Sequence, residues 1–259
     1  MSTIISFRSS FAAIFLVAFY FSQIQSIYGQ GLPKYLKACH RTDPNLNECA
    51  LKQARQSAAI FARGDPERGL PQLDPLEVKE IKTATFETQR FTGMKIYFSD
   101  SVVTGLGGMS VKEVGIDQKR RKIFATLEGQ MMISSNYEMT GYFLFLPLRG
   151  SGASNVTLSD VNVSYDAEYE IVNGKNGQNY MNFIKDELNV DIGFANFHMD
   201  NLFYGINLFS GTANNLLNDY WRDVVAHLSP PLVIVLKEAF SNAVNIFLSQ
   251  VPYDELLLP

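Results

Sequence analysis

The sequence predicts an α+β fold in which a strongly curved antiparallel β-sheet wraps a long C-terminal helix. Three observations predict it. Between about Leu76 and Leu208, apolar residues recur at every second position, the period of a half-buried strand. From Leu216 to Leu248 they recur at three- and four-residue steps, the period of a helix. The strands follow one another with one wet face each, as in an antiparallel meander, and the dry face must be covered by something.

The N-terminus is read first, because it is not part of the fold. Arg8 supplies a basic flank, Phe11 to Phe21 is an unbroken apolar run, and the small residue Gly29 follows a polar stretch. This is the layout of a secretory signal peptide over residues 1–29, with residues 30–259 as one mature domain. The run is shorter than the roughly 20 apolar residues that span a bilayer, and no later stretch is expected to span either. Removing residues 1–29 takes away Arg8 alone, which leaves 21 basic against 26 acidic residues and a net charge of −5. That charge disfavours nucleic acid and anionic surfaces as partners. Lys119 to Lys122 is a basic run that reads as a solvated hairpin turn.

In an oxidising compartment Cys39 and Cys49 pair as a disulfide, worth about 3 kcal/mol by loop-closure entropy. Only His40 lies near enough to join them as a metal ligand, so no metal is expected. Asn45 to Arg63 is a helix, with Asp43 as its cap, Pro44 in its first turn and Gly64 at its exit.

The clearest strand carries Val161, Val163, Tyr165, Ala167, Tyr169 and Ile171 on one face and Asn162, Ser164, Asp166, Glu168 and Glu170 on the other. The phase flips between Leu158 and Val161, which predicts a bulge or bend. The glycosylation sequons at Asn155 and Asn162 both fall on the wet face. A second run spans Ile123 to Ile133 and a third Tyr137 to Phe145, each about nine to eleven residues long against a usual mode near five. Asn173-Gly174 opens a hairpin turn. Met131, Met139, Phe143, Phe145, Phe194, Phe197, Met199 and Phe203 are placed on inward faces. Flexible Met and broad Phe side chains suit the wall of a cavity that adapts to a guest. The hydroxyls of Tyr137 and Tyr165 are the candidates to orient a guest's polar end.

The C-terminal helical pattern would run about 60 Å if unbroken over about forty residues, and Pro230-Pro231 is expected to kink or interrupt it. Trp221, Phe240 and Phe247 are its candidate lining residues. Nucleophilic catalysis needs a nucleophile, a base and an orienting group, and none of His40, His198 and His227 stands beside a Gly-x-Ser-x-Gly elbow. Gly105-Leu106-Gly107-Gly108 lacks the lysine and the following helix of a phosphate loop and reads as a turn. No cofactor is expected.

Several segments together resemble the insect takeout and haemolymph juvenile-hormone-binding protein family. They are Leu32-Pro33, Cys39, Asp43-Pro44, Asn47 and Cys49, then Gly64 to Pro71, Leu73-Asp74-Pro75-Leu76, Val251-Pro252-Tyr253-Asp254-Glu255-Leu256 and Pro259. The resemblance covers about Leu32 to Pro259. Gln72 and the Leu-Leu-Leu-Pro ending depart from the family pattern, and the lone cysteine pair is that of the takeout branch. The resemblance implies a super-roll of the TULIP type enclosing a hydrophobic tunnel. It implies a secreted, monomeric, non-enzymatic carrier of a juvenile-hormone-like terpenoid, a fatty acid or a similar lipid, with links to circadian, feeding or chemosensory physiology. The alternatives are a receptor- or membrane-interacting module of the same fold without a guest, and a lipid-ester hydrolase.

Overall fold

Strands form where the period-two pattern stands, and they run much further than about nine to eleven residues. The computed structural model describes residues 31–83, 85, 87–143, 146–202 and 210–259. The signal-peptide reading of residues 1–29 and the positions of Phe145 and Phe203 lie outside the described residues. In chain order the elements are β1 (Cys39–His40), α1 (Leu46–Arg63), β2 (Leu76–Lys82), β3 (Phe91–Thr104), β4 (Ser110–Asp117), β5 (Lys122–Phe143), β6 (Leu146–Asn173), β7 (Asn179–Met199), α2 (Ser210–Asp219), α3 (Trp221–Gln250), α4 (Tyr253–Leu256) and β8 (Leu257–Leu258).

The main sheet is antiparallel and six-stranded, in the order β2-β3-β5-β6-β7, with β4 also paired to β5. β5, β6 and β7 hold 22, 28 and 21 residues. The short pattern runs are therefore segments of longer strands. What looked like strand ends are bends at which the ladder continues and the inward phase changes. One such bend is the predicted flip after Leu158: Asp160 takes a left-handed backbone (φ 51°), and both Leu158 and Val161 are buried. Gly193 of β7 faces Asp160 across the ladder, and a side chain there would press on the Asp160 Cβ. The phase of β7 flips with it, from Leu188 and Ile192 to Ala195, Phe197 and Met199.

β3 and β4 lie end to end along β5, β3 on its second half and β4 on its first. A turn at Leu106–Gly108 joins them. Gly105 is required there, because its φ is +101° and a Cβ would stand 2.4 Å from the Gln130 carbonyl oxygen. Asp74 holds this turn by accepting the amides of Gly105 (3.2 Å) and Gly107 (2.7 Å). The glycine-rich segment is thus a strand connection, as its lack of a lysine predicts.

β2, β7 and β4, which pairs only with β5, are the edges of the sheet. β2 alternates Glu77, Lys79, Glu80 and Lys82 among its apolar residues. β7 is covered by α2 in an unusual way. Asn214 and Asn218, one helical turn apart, turn their carboxamides onto the backbone of Met199 and Phe197. Each accepts one amide (2.9 and 2.7 Å) and donates to the carbonyl of the same residue (2.9 and 3.0 Å). A carboxamide carries the same donor and acceptor as a peptide group, so the two side chains stand in for a missing strand.

Three expectations about helices are corrected. The N-cap of α1 is Asn45, not Asp43; Asp43 instead accepts the Asn45 amide at 2.8 Å, and Pro44 precedes the helix. The C-terminal pattern is broken at Tyr220, while Pro230 and Pro231 sit inside α3. Each proline removes one helix hydrogen bond, but the nine helical residues before the pair and the nineteen after it keep the rod in register. Finally, α3 is long and apolar enough to cross a membrane by length and composition, contrary to the reading that no later stretch is. In the fold its apolar sides pack on the dry face of the sheet, chiefly through Val224, Leu232, Leu236, Ala243 and Phe247.

The far end of the molecule is tied shut. Cys39 and Cys49 are disulfide-bonded, and β1 pairs in parallel with β8. Arg41 forms an ion pair with Asp254, donates to the Leu257 carbonyl and lies 4.8 Å over the Tyr253 ring. Asp65 accepts the amides of Glu67 and Arg68, Arg68 donates to the Gly31 carbonyl (2.9 Å), and the Gln250 amide donates to the Arg68 carbonyl (2.6 Å). The Gly-Asp-Pro and Tyr-Asp-Glu-Leu segments are thus parts of one closure.

Candidate functional site

Between α3 and the sheet, described residues border two apolar cavities. The larger, about 130 Å³, is bounded by Ala58, Phe61 and Ala62 of α1, Leu73, Leu76, Leu106, Met109, Leu127 of β5, Val163 and Tyr165 of β6, Leu188 of β7, and Leu236, Ala239 and Phe240 of α3. The smaller, about 50 Å³, lies further toward the start of α3 among Ile81, Phe98, Ile133, Val156, Leu158, Ile192, Phe197, Val225, Leu228, Ser229 and Leu232. Along β6 the wholly buried Val161 falls between the two walls, and along β7 Val190 does. Both cavities are lined almost entirely by carbon, and water gains few hydrogen bonds in such a space. A wider recess of about 550 Å³ crosses β2, β3, β5 and β6, but Lys82, Lys95, Glu138 and Arg149 line it and it opens to solvent. It is not a place for a lipophile.

Of the residues expected to line a tunnel, Tyr165 and Phe240 border the larger cavity and Phe197 the smaller. Their rings meet: Tyr165 and Phe240 stand edge to face at 4.8 Å. Met131, Tyr137, Met139, Phe143 and Met199 are buried in the packed core around these spaces without bordering them. Tyr137 does not offer its hydroxyl to a guest, because it donates to the Asp200 carbonyl. Burial, and then the Asp200 charge, push its phenol well above the usual range. Trp221 is buried beside Phe194, edge to face at 5.8 Å. Phe247 belongs to the closed end and touches the larger cavity only through Phe61, at 6.1 Å.

Phe194 is a correction. It is 44% exposed. It follows the phase change of β7 at Gly193, and its ring packs on Trp221 rather than bordering either cavity. Asn155 lies exposed on the outer face of β6, accepting the Ser134 hydroxyl at 2.8 Å, and Asn162 is half-buried there. His198 is exposed beside Asp200, His227 contacts the Asp223 carbonyl, and His40 contacts the Pro259 carbonyl.

Sequence reasoning missed the contribution of α1 and of the turn at Leu106–Gly108 to the wall. It also missed a polar cluster. Asp186 occupies the inward register of β7 that continues through Leu188, and α3 meets it there. Tyr165 donates its hydroxyl to Asp186 Oδ2 at 3.0 Å, Ser241 donates to the same oxygen, and Lys237 Nζ stands 3.2 Å from Oδ1. Burial alone would raise the Asp186 carboxyl, but hydrogen bonds from Ser241, Lys237 and Tyr165 outweigh it and hold the group below the usual carboxylate range. Asp186 is therefore ionised at neutral pH. Burial, opposed by the Ser241 bond and reinforced by Asp186, pushes the Tyr165 phenol well up.

The comparisons with known proteins agree with this architecture. Residues 14–258 match the family described as haemolymph juvenile hormone binding protein. The chain is 25% identical over 232 residues to the circadian clock-controlled protein daywake of Drosophila melanogaster, covering 87% of this chain and 88% of that one. It is 23% identical over 201 residues to a Schistocerca gregaria protein named "Putative beta-carotene-binding protein", covering 76% and 75%. The crystal structure of Epiphyas postvittana Takeout 1 superimposes with a TM-score of 0.77 at 22% identity, over 86% of this chain and 100% of that one, which shows the shared fold. The chain belongs to the haemolymph juvenile hormone binding protein family.

Proposed function

We propose that the protein is a secreted, monomeric, single-domain carrier that holds a small hydrophobic molecule between α3 and the curved sheet, without chemistry. The observation that supports this reading is the pair of carbon-lined cavities in line along α3. The description of the family, for juvenile hormone binding, and the name of one relative, for beta-carotene binding, point the same way. A terpenoid, fatty-acid-like or carotenoid guest fits such walls. A circadian role follows the likeness to the clock-controlled protein daywake. The apolar run before Gly29 acts as the export signal, and Asn155 and Asn162 are the sites open to glycosylation.

The two volumes together fall below the roughly 300 Å³ at which drug-sized pockets begin. A guest therefore joins them by displacing the side chains around Val161, Val190 and Leu232. Burying about 300 Å² of apolar guest surface contributes roughly 7–8 kcal/mol before association costs, enough to drive that repacking.

Native mass spectrometry of the secreted protein, with extraction of bound lipid, tests the reading directly. Saturable binding of a neutral naphthylamine probe is expected. Ala239→Phe, which fills the larger cavity, is expected to weaken probe binding about tenfold or more while circular dichroism stays unchanged. Absence of both co-purified lipid and saturable binding would sink the proposal.

A further inference from the structure

Resting on the carrier reading, we infer that the larger cavity selects lipophiles that end in a hydroxyl over those that end in a carboxylate, through the cluster of Tyr165, Asp186, Ser241 and Lys237. The cavity walls are otherwise apolar, so the polar end of a guest that lies inside is met at Tyr165, through which the cluster reaches the space. Tyr165 is the member that borders the space.

The directions of the hydrogen bonds decide what the cluster can accept. Tyr165 and Ser241 both spend their only proton on Asp186 Oδ2. Lys237 is engaged on the other oxygen, Oδ1, with 39% of its side chain exposed. A phenol oxygen has two lone pairs, and with the Ser241 hydroxyl also beside it the Tyr165 oxygen keeps one, so the wall presents an acceptor backed by a carboxylate. A guest hydroxyl donates to that oxygen. A guest carboxylate or ester brings acceptors alone, finds the Tyr165 and Ser241 protons taken, and, if charged, faces Asp186. Leaving such a group unsatisfied inside a dry site costs about tenfold or more in affinity.

An inward charge on the dry face of a sheet is also costly to keep unless it is fully partnered, and Asp186 has three partners from two elements. The two hydroxyls turned onto one oxygen are what convert the wall from donor to acceptor.

The test displaces the neutral naphthylamine probe with the alcohol, the methyl ester and the free acid of one saturated chain. The alcohol is expected to displace at about one-tenth the concentration of the acid, with the ester weaker than the alcohol. Asp186→Asn removes the charge and frees Lys237, so the acid is expected to gain and match or pass the alcohol. Tyr165→Phe removes the acceptor and is expected to erase the alcohol's advantage over the ester, and it serves where Asp186→Asn does not fold. Equal displacement by all three, or the acid binding tightest to the unaltered protein, overturns the selection while leaving the carrier reading intact. Failure of the probe itself to bind overturns the carrier reading instead.

Discussion

The two ends of the long helix are held by different chemistry. At the end of α3 that leads into α4, a parallel strand pair and the Arg41 cluster bind the first described residues to the last, and the Cys39–Cys49 disulfide stiffens the first of these segments. At its start, α2 is joined to the sheet edge by the four carboxamide bonds of Asn214 and Asn218 and by the buried side chains of Ala213 and Leu217. In the first closure a disulfide ties β1 to α1 and stiffens the segment that grips β8 and Asp254 through a strand pair, an ion pair and hydrogen bonds. The second opens by trading side-chain hydrogen bonds for water, and it leaves the β6–β7 ladder intact. The difference teaches where a guest is expected to pass: at the end held by asparagines, nearer the smaller cavity.

The largest effect that could break this comparison is on stability. Replacing both Cys39 and Cys49 by Ala is expected to cost about 3 kcal/mol in urea unfolding, with little change in probe association rate. A faster association in that variant would move the opening to the closed end. Asn214→Ala with Asn218→Ala is expected to cost about 2 kcal/mol. It should also accelerate hydrogen exchange at the Phe197 and Met199 amides and speed probe association, an outcome that would sharpen the contrast. Arg41→Ala is expected to cost about 1 kcal/mol, since its ion pair with Asp254 is largely solvated, and to leave binding unchanged.

The smallest effect is a pH dependence. The Asp186 carboxyl sits below its unfolded value, so its stabilisation is present above the ordinary carboxylate range and is lost as pH falls through its lowered pKa. The unfolding midpoints of the unaltered protein and Asp186→Asn should converge as the solution is acidified. A constant gap down to strongly acid pH would remove Asp186 from the account.

Much of the fold was legible because it rests on periods. Alternation along Val161 to Ile171 and helical spacing from Leu216 to Leu248 are both imposed by burial of one face. Strand length was not legible, because a bend such as that at Asp160 shifts the pattern by one residue and imitates a strand end. Pro230-Pro231 misled for a related reason: local propensity predicts a break, and packing of Val224, Leu232 and Leu236 on both sides overrides it. The site was harder. Met and Phe content marks dry interior without telling cavity from packed core, so Met139 and Phe143 were chosen beside Tyr165 and Phe240. Asp186 was hidden within Lys185-Asp186-Glu187, a charge run that reads as solvated until the phase of β7 is known.

β2, the opposite border of the sheet, exposes Glu77, Lys79, Glu80 and Lys82 beside a row of unpaired peptide groups. A second molecule docking its own border there would have to strip these four charges of water. The protein should therefore remain dispersed when concentrated, and neutralising those four residues would be the shortest route to making it polymerise.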